Sequence, residues 1–224
     1  MRDLEIQANG RTLPAYRAVP TAGTGPGVLV LHEAFGLVGH TREVCDRLAR
    51  EGFVALAPDL FRGERPSDLD AARRRAAALE LDPVSADLEA SINGLLSDSA
   101  VEGAQVGVVG FCLGGHLALL AASKSPRVAA AVDFYGFHPG LKIEVEAIQG
   151  SALVIHAEND EFIPAEVVKR LEQKLEPLGA RATLIIQPGV GHAFMNDARP
   201  DRYDAVAAAE GWERMLAFLR AELQ

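Results

Sequence analysis

Cysteine is scarce in this 224-residue chain: only Cys45 and Cys112 occur, with no Cys-x-x-Cys pair. That excludes a disulfide scaffold, a dithiol redox motif and a cysteine zinc knuckle. The two cysteines sit in dissimilar settings, which argues against a bond between them. Positive charge is also short, since 22 Lys and Arg against 31 Asp and Glu leave a net charge of −9. A general nucleic-acid binder needs a basic excess to neutralise phosphates, so no nucleic-acid partner is expected. No apolar run approaches the ~20 residues that span a bilayer. The opening residues MRDLEIQANGR contain no apolar signal core. A cytoplasmic protein without a membrane partner is the expectation. Repeats, low-complexity tracts and long linkers are missing as well, so residues 1–224 are expected to form a single domain.

What is present is ordinary globular material, with 49% hydrophobic and 24% charged residues. A chain of this length buries a large core without staples. Leu4–Ala8 and Thr12–Ala18 read as a hairpin turning at Asn9-Gly10, a pair that tolerates positive φ. Short apolar runs follow at Val28–Leu31, Phe53–Ala57, Val106–Phe111, Val128–Tyr135, Ala152–His156 and Ala182–Ile186. Runs of this kind suit strands covered on both faces. Between them lie helical patterns: Val44, Cys45, Leu48 and Ala49; the Ala- and Arg-rich Asp68–Leu81; and Val84, Leu88, Ile92 and Leu95 behind an Asp82 N-cap with Pro83 at N1. His116–Ala122, the series Val168, Leu171, Leu175 and Leu178, and Val206, Ala209, Trp212, Leu216 and Leu219 complete the set. The alternation predicts an α/β fold, a mostly parallel central sheet with helices on both faces and an N-terminal β-hairpin. Ligands of such sheets sit at the carboxyl ends of the strands.

The chemistry-bearing residues lie at those ends. After Val106–Val109 comes Gly110-Phe111-Cys112-Leu113-Gly114-Gly115, then a helix. This is the Gly-x-Ser-x-Gly nucleophile elbow with cysteine in place of serine. Strand and helix pass so closely there that side chains two positions either side of the nucleophile would clash, and Gly110 and Gly114 occupy both positions. The helix N-terminus favours the thiolate and aims the Leu113 N–H at a developing oxyanion. The turn lacks the GxGxxG spacing and the Lys-Ser/Thr pair of a phosphate loop. A plain buried cysteine is the bland alternative.

A thiol nucleophile needs a base, and the base an acid to orient it. Among six histidines, His40, His116 and His138 sit in loop or helix settings, and His156 reads as a satisfied core residue inside a strand. His192 instead follows the strand ending at Ile186 through a glycine-bearing loop. Asp160 follows the strand Ala152–His156 in the same way. The chain order Cys112, Asp160, His192 is nucleophile, acid, base, as in α/β-hydrolases. Glu33 lies directly after Val28–Leu31, where it would project beside the thiol and exchange a proton with it. The Ala34 N–H is assigned as the second oxyanion donor.

Through Leu31–Leu37, Ala57–Leu60, Gly110–Gly115, Gly189–Phe194 and the ending Trp212–Leu219, the sequence resembles the dienelactone hydrolase family of the α/β-hydrolase fold. The resemblance covers nearly the whole chain. It implies a metal-free, cofactor-free hydrolase of a small ester or lactone, working through Cys112, His192 and Asp160 and an acyl-enzyme, with Glu33 pairing with the resting thiol. Members that cleave dienelactone hold its carboxylate with arginines, one of them four positions after the histidine. Asn196 stands there in this chain. Arg199 is a substitute, and Arg73, Arg74 and Arg75 lie where the other arginine is expected, with Arg74 the named candidate and its neighbours left open. The family suggests a monomer. Two rival readings are a reactive-thiol binding or sensing protein without turnover, and an inactive hydrolase fold serving as an interaction surface.

Overall fold

The computed structural model describes residues 2–8 and 10–223. Eight strands form one sheet: β1 (Arg2–Ala8), β2 (Arg11–Ala18), β3 (Gly25–Leu31), β4 (Val54–Pro58), β5 (Val101–Phe111), β6 (Val128–Phe134), β7 (Ser151–Ala157) and β8 (Ala182–Gln187). Their spatial order is β1-β2-β4-β3-β5-β6-β7-β8. β1 and β2 pair antiparallel, as does β2 with β4, and every other neighbouring pair is parallel. This is the expected α/β-hydrolase fold with its N-terminal hairpin. Gly10 takes the positive φ (+70°) the turn requires, while Asn9 lies outside the described residues.

Six helices cover the sheet: α1 (Gly39–Arg50), α2 (Leu69–Ala77), α3 (Leu81–Leu96), α4 (Leu113–Lys124), α5 (Ala165–Leu175) and α6 (Ala205–Glu222). Alternation along each strand separates two cores. On β7, Ala152 and Val154 pack into the core beneath α3, α4 and α5, whereas Leu153 and Ile155 pack into the core beneath α1 and α6. Period-2 geometry leaves no other option for a strand buried on both faces. Each of the fully buried Leu and Phe side chains removes enough apolar area to stabilise the fold by about 1.5–3 kcal/mol.

Helix boundaries and faces depart from expectation in three places. α3 begins at Leu81 with Glu80 as its N-cap, two residues earlier than an Asp82 cap. The helix expected through Leu81 stops at Ala77, although its start is well marked: Asp68 caps α2 by accepting from the Ala71 N–H at 2.8 Å. On α6 the buried face runs through Ala207, Ala208, Trp212, Met215, Leu216 and Leu219, leaving Val206 and Ala209 exposed. Among the described residues, no helix is long and apolar enough to cross a membrane. Cys45 is buried within α1 and Cys112 is partly accessible, and both are free thiols.

Candidate active site

The β5–α4 turn is built as its glycines require. A Cβ on Gly110 would overlap the carbonyl oxygen of Gly114, and one on Gly114 would overlap that of Leu31. Between them Cys112 takes φ +54° and ψ −119°, a region that side-chain-bearing residues rarely occupy. Such strain places Sγ clear of the turn at the amino end of α4. Leu113 is the first residue of that helix, so its N–H has no carbonyl one turn back to bond.

Two further loops converge on the sulfur. The segment after β7 is laced to the one after β8: the Glu158 N–H donates to Gln187 O at 3.0 Å, and the Asn159 N–H to Val190 O at 2.9 Å. This lacing sets Asp160 against His192. Asp160 Oδ2 accepts from His192 Nδ1 at 2.8 Å, and Oδ1 accepts from the Phe162 and Ile163 N–H groups at 2.9 and 3.0 Å. Burial alone would raise the Asp160 pKa, but His192 and the two backbone donors bring it below the ordinary carboxylate value. His192 is itself buried, standing between the rings of Tyr135 and Phe162 at 5.0 Å from each. Burial opposes its charge, yet Cys112, as anion and hydrogen-bond partner, together with Asp160 lifts its pKa to about 10.

Glu33 is fixed from a third direction. His32, at the end of β3, donates from Nδ1 to Glu33 O at 2.7 Å and accepts at Nε2 from the Leu60 N–H at 3.1 Å. Two such bonds require a neutral imidazole, in keeping with a pKa lowered chiefly by burial. Asp59 anchors the supporting loop by accepting from the Gly63 N–H and from Arg65, both at 2.9 Å. Glu33 is 8% exposed; its Oε2 accepts from Asn196 Nδ2 at 2.7 Å, and its buried Oε1 has no partner.

A cavity of about 630 Å³ opens over these groups, within the range of small-molecule sites. Glu33, Ala34, Cys112, Leu113, His192 and Arg199 line it, so six of the expected site residues face one cavity, while Asp160 reaches it only through its bond to His192. Asn196 does not line it: it is buried behind Glu33 and its amide is spent on that carboxylate. Arg74 is exposed and also absent from the wall, because the rotation of α2 turns Arg73 inward instead. Arg75 is held elsewhere, bonded to Glu64 at 2.5 Å over the Phe61 ring. Arg199 does reach the cavity, but Asp201 engages it through bonds of 3.2 and 3.1 Å. Sequence reasoning assigned no role to Tyr135 or Phe162, which line the cavity together with Arg202 of the Met195–Tyr203 loop, a segment expected from sequence to line the pocket. Arg202 pairs with Glu161 and lies 5.2 Å above the Phe162 ring.

His156 is a further correction. It is buried on β7, as expected of a core residue, but neither ring nitrogen has a hydrogen-bond partner.

The model of the dienelactone hydrolase family matches residues 13–223. The chain is 37% identical over 227 residues to the protein named usf of Aquifex pyrophilus, covering 98% of each. It is 35% identical over 228 residues to a provisionally named carboxymethylenebutenolidase of Aquifex aeolicus, covering 99% of this chain and 98% of that one. A crystal structure from Klebsiella pneumoniae, provisionally named a dienelactone hydrolase, superposes with a TM-score of 0.89 at 30% identity, over 98% of this chain and 97% of that one.

Proposed function

The chain belongs to the dienelactone hydrolase family and is an ester or lactone hydrolase, and from that premise we propose that Cys112, His192 and Asp160 carry the reaction through an acyl-enzyme. The observation that carries this reading is that His192, bonded to Asp160 behind it, lines the same cavity as a cysteine held at φ +54°.

The steps follow from these groups. The Cys112 thiolate attacks the carbonyl carbon, forming a C–S bond and moving the π pair onto oxygen. The Leu113 and Ala34 N–H groups receive that oxyanion. Collapse breaks the bond to the alkoxide, which takes its proton from the His192 imidazolium. Water then attacks the thioester, His192 removes its proton, and the acid leaves as the thiolate returns. Asp160 keeps the proton of His192 on Nδ1, so Nε2 does the transfer. Glu33, with its unpartnered Oε1, receives the thiol proton and returns it after deacylation. A substrate bearing a carboxylate meets Arg73, whose carboxylate neighbour Asp70 is 3.7 Å away on the exposed side of α2. Reading Asn196 as a substrate contact gives way to reading it as the partner that holds Glu33 in place.

The test pairs turnover with trapping. Wild-type protein and Cys112→Ala are compared on 4-nitrophenyl acetate, and the wild type is quenched for mass spectrometry. We expect a Cys112 acetyl adduct on the way to steady release, and a rate lower by about 10³-fold or more in the variant. Equal rates in the two proteins reject the nucleophile. A stable adduct without turnover selects the reactive-thiol binding or sensing reading instead.

A further inference from the structure

A second cavity, of about 390 Å³, lies behind the first, and Phe137, His138 and Pro139 line both. It opens to solvent and is bounded by that segment, the following residues through Val145, α4, α5 and His156 of β7. His138 fixes the shared wall: Nδ1 accepts from the Gly140 and Leu141 N–H groups at 3.1 and 3.0 Å, and Nε2–H donates to Ala76 O of α2 at 3.1 Å.

The lining is unusual for a chain of net charge −9. Lys142, Arg170 and Lys174 line this cavity, and no Asp or Glu does. Arg170 and Lys174 are one helical turn apart on α5, so they share a face; Lys142 comes from the opposite wall. Among the described residues none of the three is within ion-pair distance of a carboxylate, and the one side-chain bond is from Arg170 Nε to the Glu166 backbone oxygen. Leu141, Val145, Val168 and Leu171 supply an apolar surface. His156 lies on the floor, 1% exposed, with both ring nitrogens unpartnered. A buried polar group without a partner costs about 1–3 kcal/mol, and a ligand that accepts from it recovers that loss. Burial lowers the His156 pKa to about 4, so the ring is neutral at pH 7 and keeps one N–H to give.

We propose that this second cavity is a binding site for a small organic carboxylate with a short apolar tail. Lys142, Arg170 and Lys174 supply the charge, His156 supplies a neutral donor, and the aliphatic wall takes the tail. Nothing in the hydrolytic reaction uses these residues, so the site stands or falls apart from the triad.

Hexanoate is the probe, titrated calorimetrically into the full chain, with hexan-1-ol as the uncharged control. We expect saturable hexanoate binding that weakens by about tenfold or more in Arg170→Gln/Lys174→Gln. Binding is expected to stay within about twofold in Arg73→Gln/Arg199→Gln, which empties the first cavity of two cations instead. His156→Phe keeps a ring and removes the donor, and is expected to weaken binding by about threefold to tenfold. Lys142→Gln repeats the charge test outside α5, should the double variant melt the helix. No hexanoate binding to the wild type, equal binding by the charge variants, loss in the Arg73/Arg199 variant instead, or equal binding of hexan-1-ol each overturns the proposal.

Discussion

Two aspartates at the ends of adjacent strands meet opposite fates. Asp160, in the loop after β7, has both oxygens occupied by three N–H donors, and its pKa falls below the ordinary value despite burial. Asp133, inside β6, is fully buried against Gly115 and Gly136, and neither oxygen has a hydrogen-bond partner. Burial pushes its pKa up to about 7, and the nearby Gly136 N–H, which falls short of hydrogen-bond geometry, eases that only in part. The histidines repeat the pattern. His192 has a carboxylate and a thiol and rises to about 10; His156, four positions before Asp160, has neither and falls to about 4. The difference is not depth. Loop backbones turn spare N–H groups toward a side chain, whereas strand backbones have already spent theirs on the ladder. An ionised carboxylate held at a site of chemistry therefore belongs after a strand and not within one.

Removing the acid on each side sharpens the contrast most. Asp160→Asn is expected to lower kcat by about 10³-fold, because the amide stabilises the wrong imidazole tautomer. Asp133→Asn is expected to leave kcat within about twofold and to alter stability instead. A carboxyl group raised from 3.8 to about 7 on folding destabilises the native state increasingly between those values. The melting temperature of the wild type relative to Asp133→Asn should therefore fall by a few degrees as pH rises from about 4 to about 7, then level off. A large loss of kcat in Asp133→Asn, with no pH trend in melting, breaks the comparison.

Glu33 lies between the two cases, with one oxygen held and one free. Asn196→Ala removes its remaining side-chain donor and is expected to lower kcat/KM by about tenfold on a neutral ester. A loss confined to carboxylate-bearing substrates would instead return Asn196 to substrate binding.

The smallest effect is on a titration and is read by NMR. The His192 ring should keep its charge to about pH 10 in the wild type. Cys112→Ala removes the anion that helps to lift it, so the midpoint should move down. The sign is that of a raised base: the stabilisation this charge supplies is complete below 6.5 and is lost as pH passes about 10. An unchanged midpoint in Cys112→Ala would show that Asp160 alone sets it.

Sequence reasoning succeeded where local geometry dictates the residue. Gly110 is required by the close pass of β5 and α4, and Gly114 by that of α4 and the end of β3, so the elbow is visible without coordinates. The sheet is equally visible, because strands buried on both faces read as continuous apolar runs. It failed where direction depends on distant packing. Three consecutive arginines carry no signal of which one faces inward until the rotation of α2 is known, and that rotation selects Arg73 over Arg74. Asn196 reads as a pocket residue because it stands four positions after His192, where the resembling family carries a carboxylate-binding arginine; only the approach of the β3 loop makes it a support for Glu33. His156 looked satisfied because buried polar groups usually are, and nothing in its neighbours announces the exception.

Cys112 occupies a backbone conformation suited to glycine, which costs about 1–3 kcal/mol in any residue with a side chain. On the mechanism we propose, selection for turnover is the force that retains a cysteine at this turn, against the fold's own preference. In a lineage where that selection lapses, drift at position 112 should run toward glycine, yielding a sturdier and catalytically silent descendant. The backbone angle of one residue thereby sets the direction in which this sequence decays once its chemistry is no longer needed.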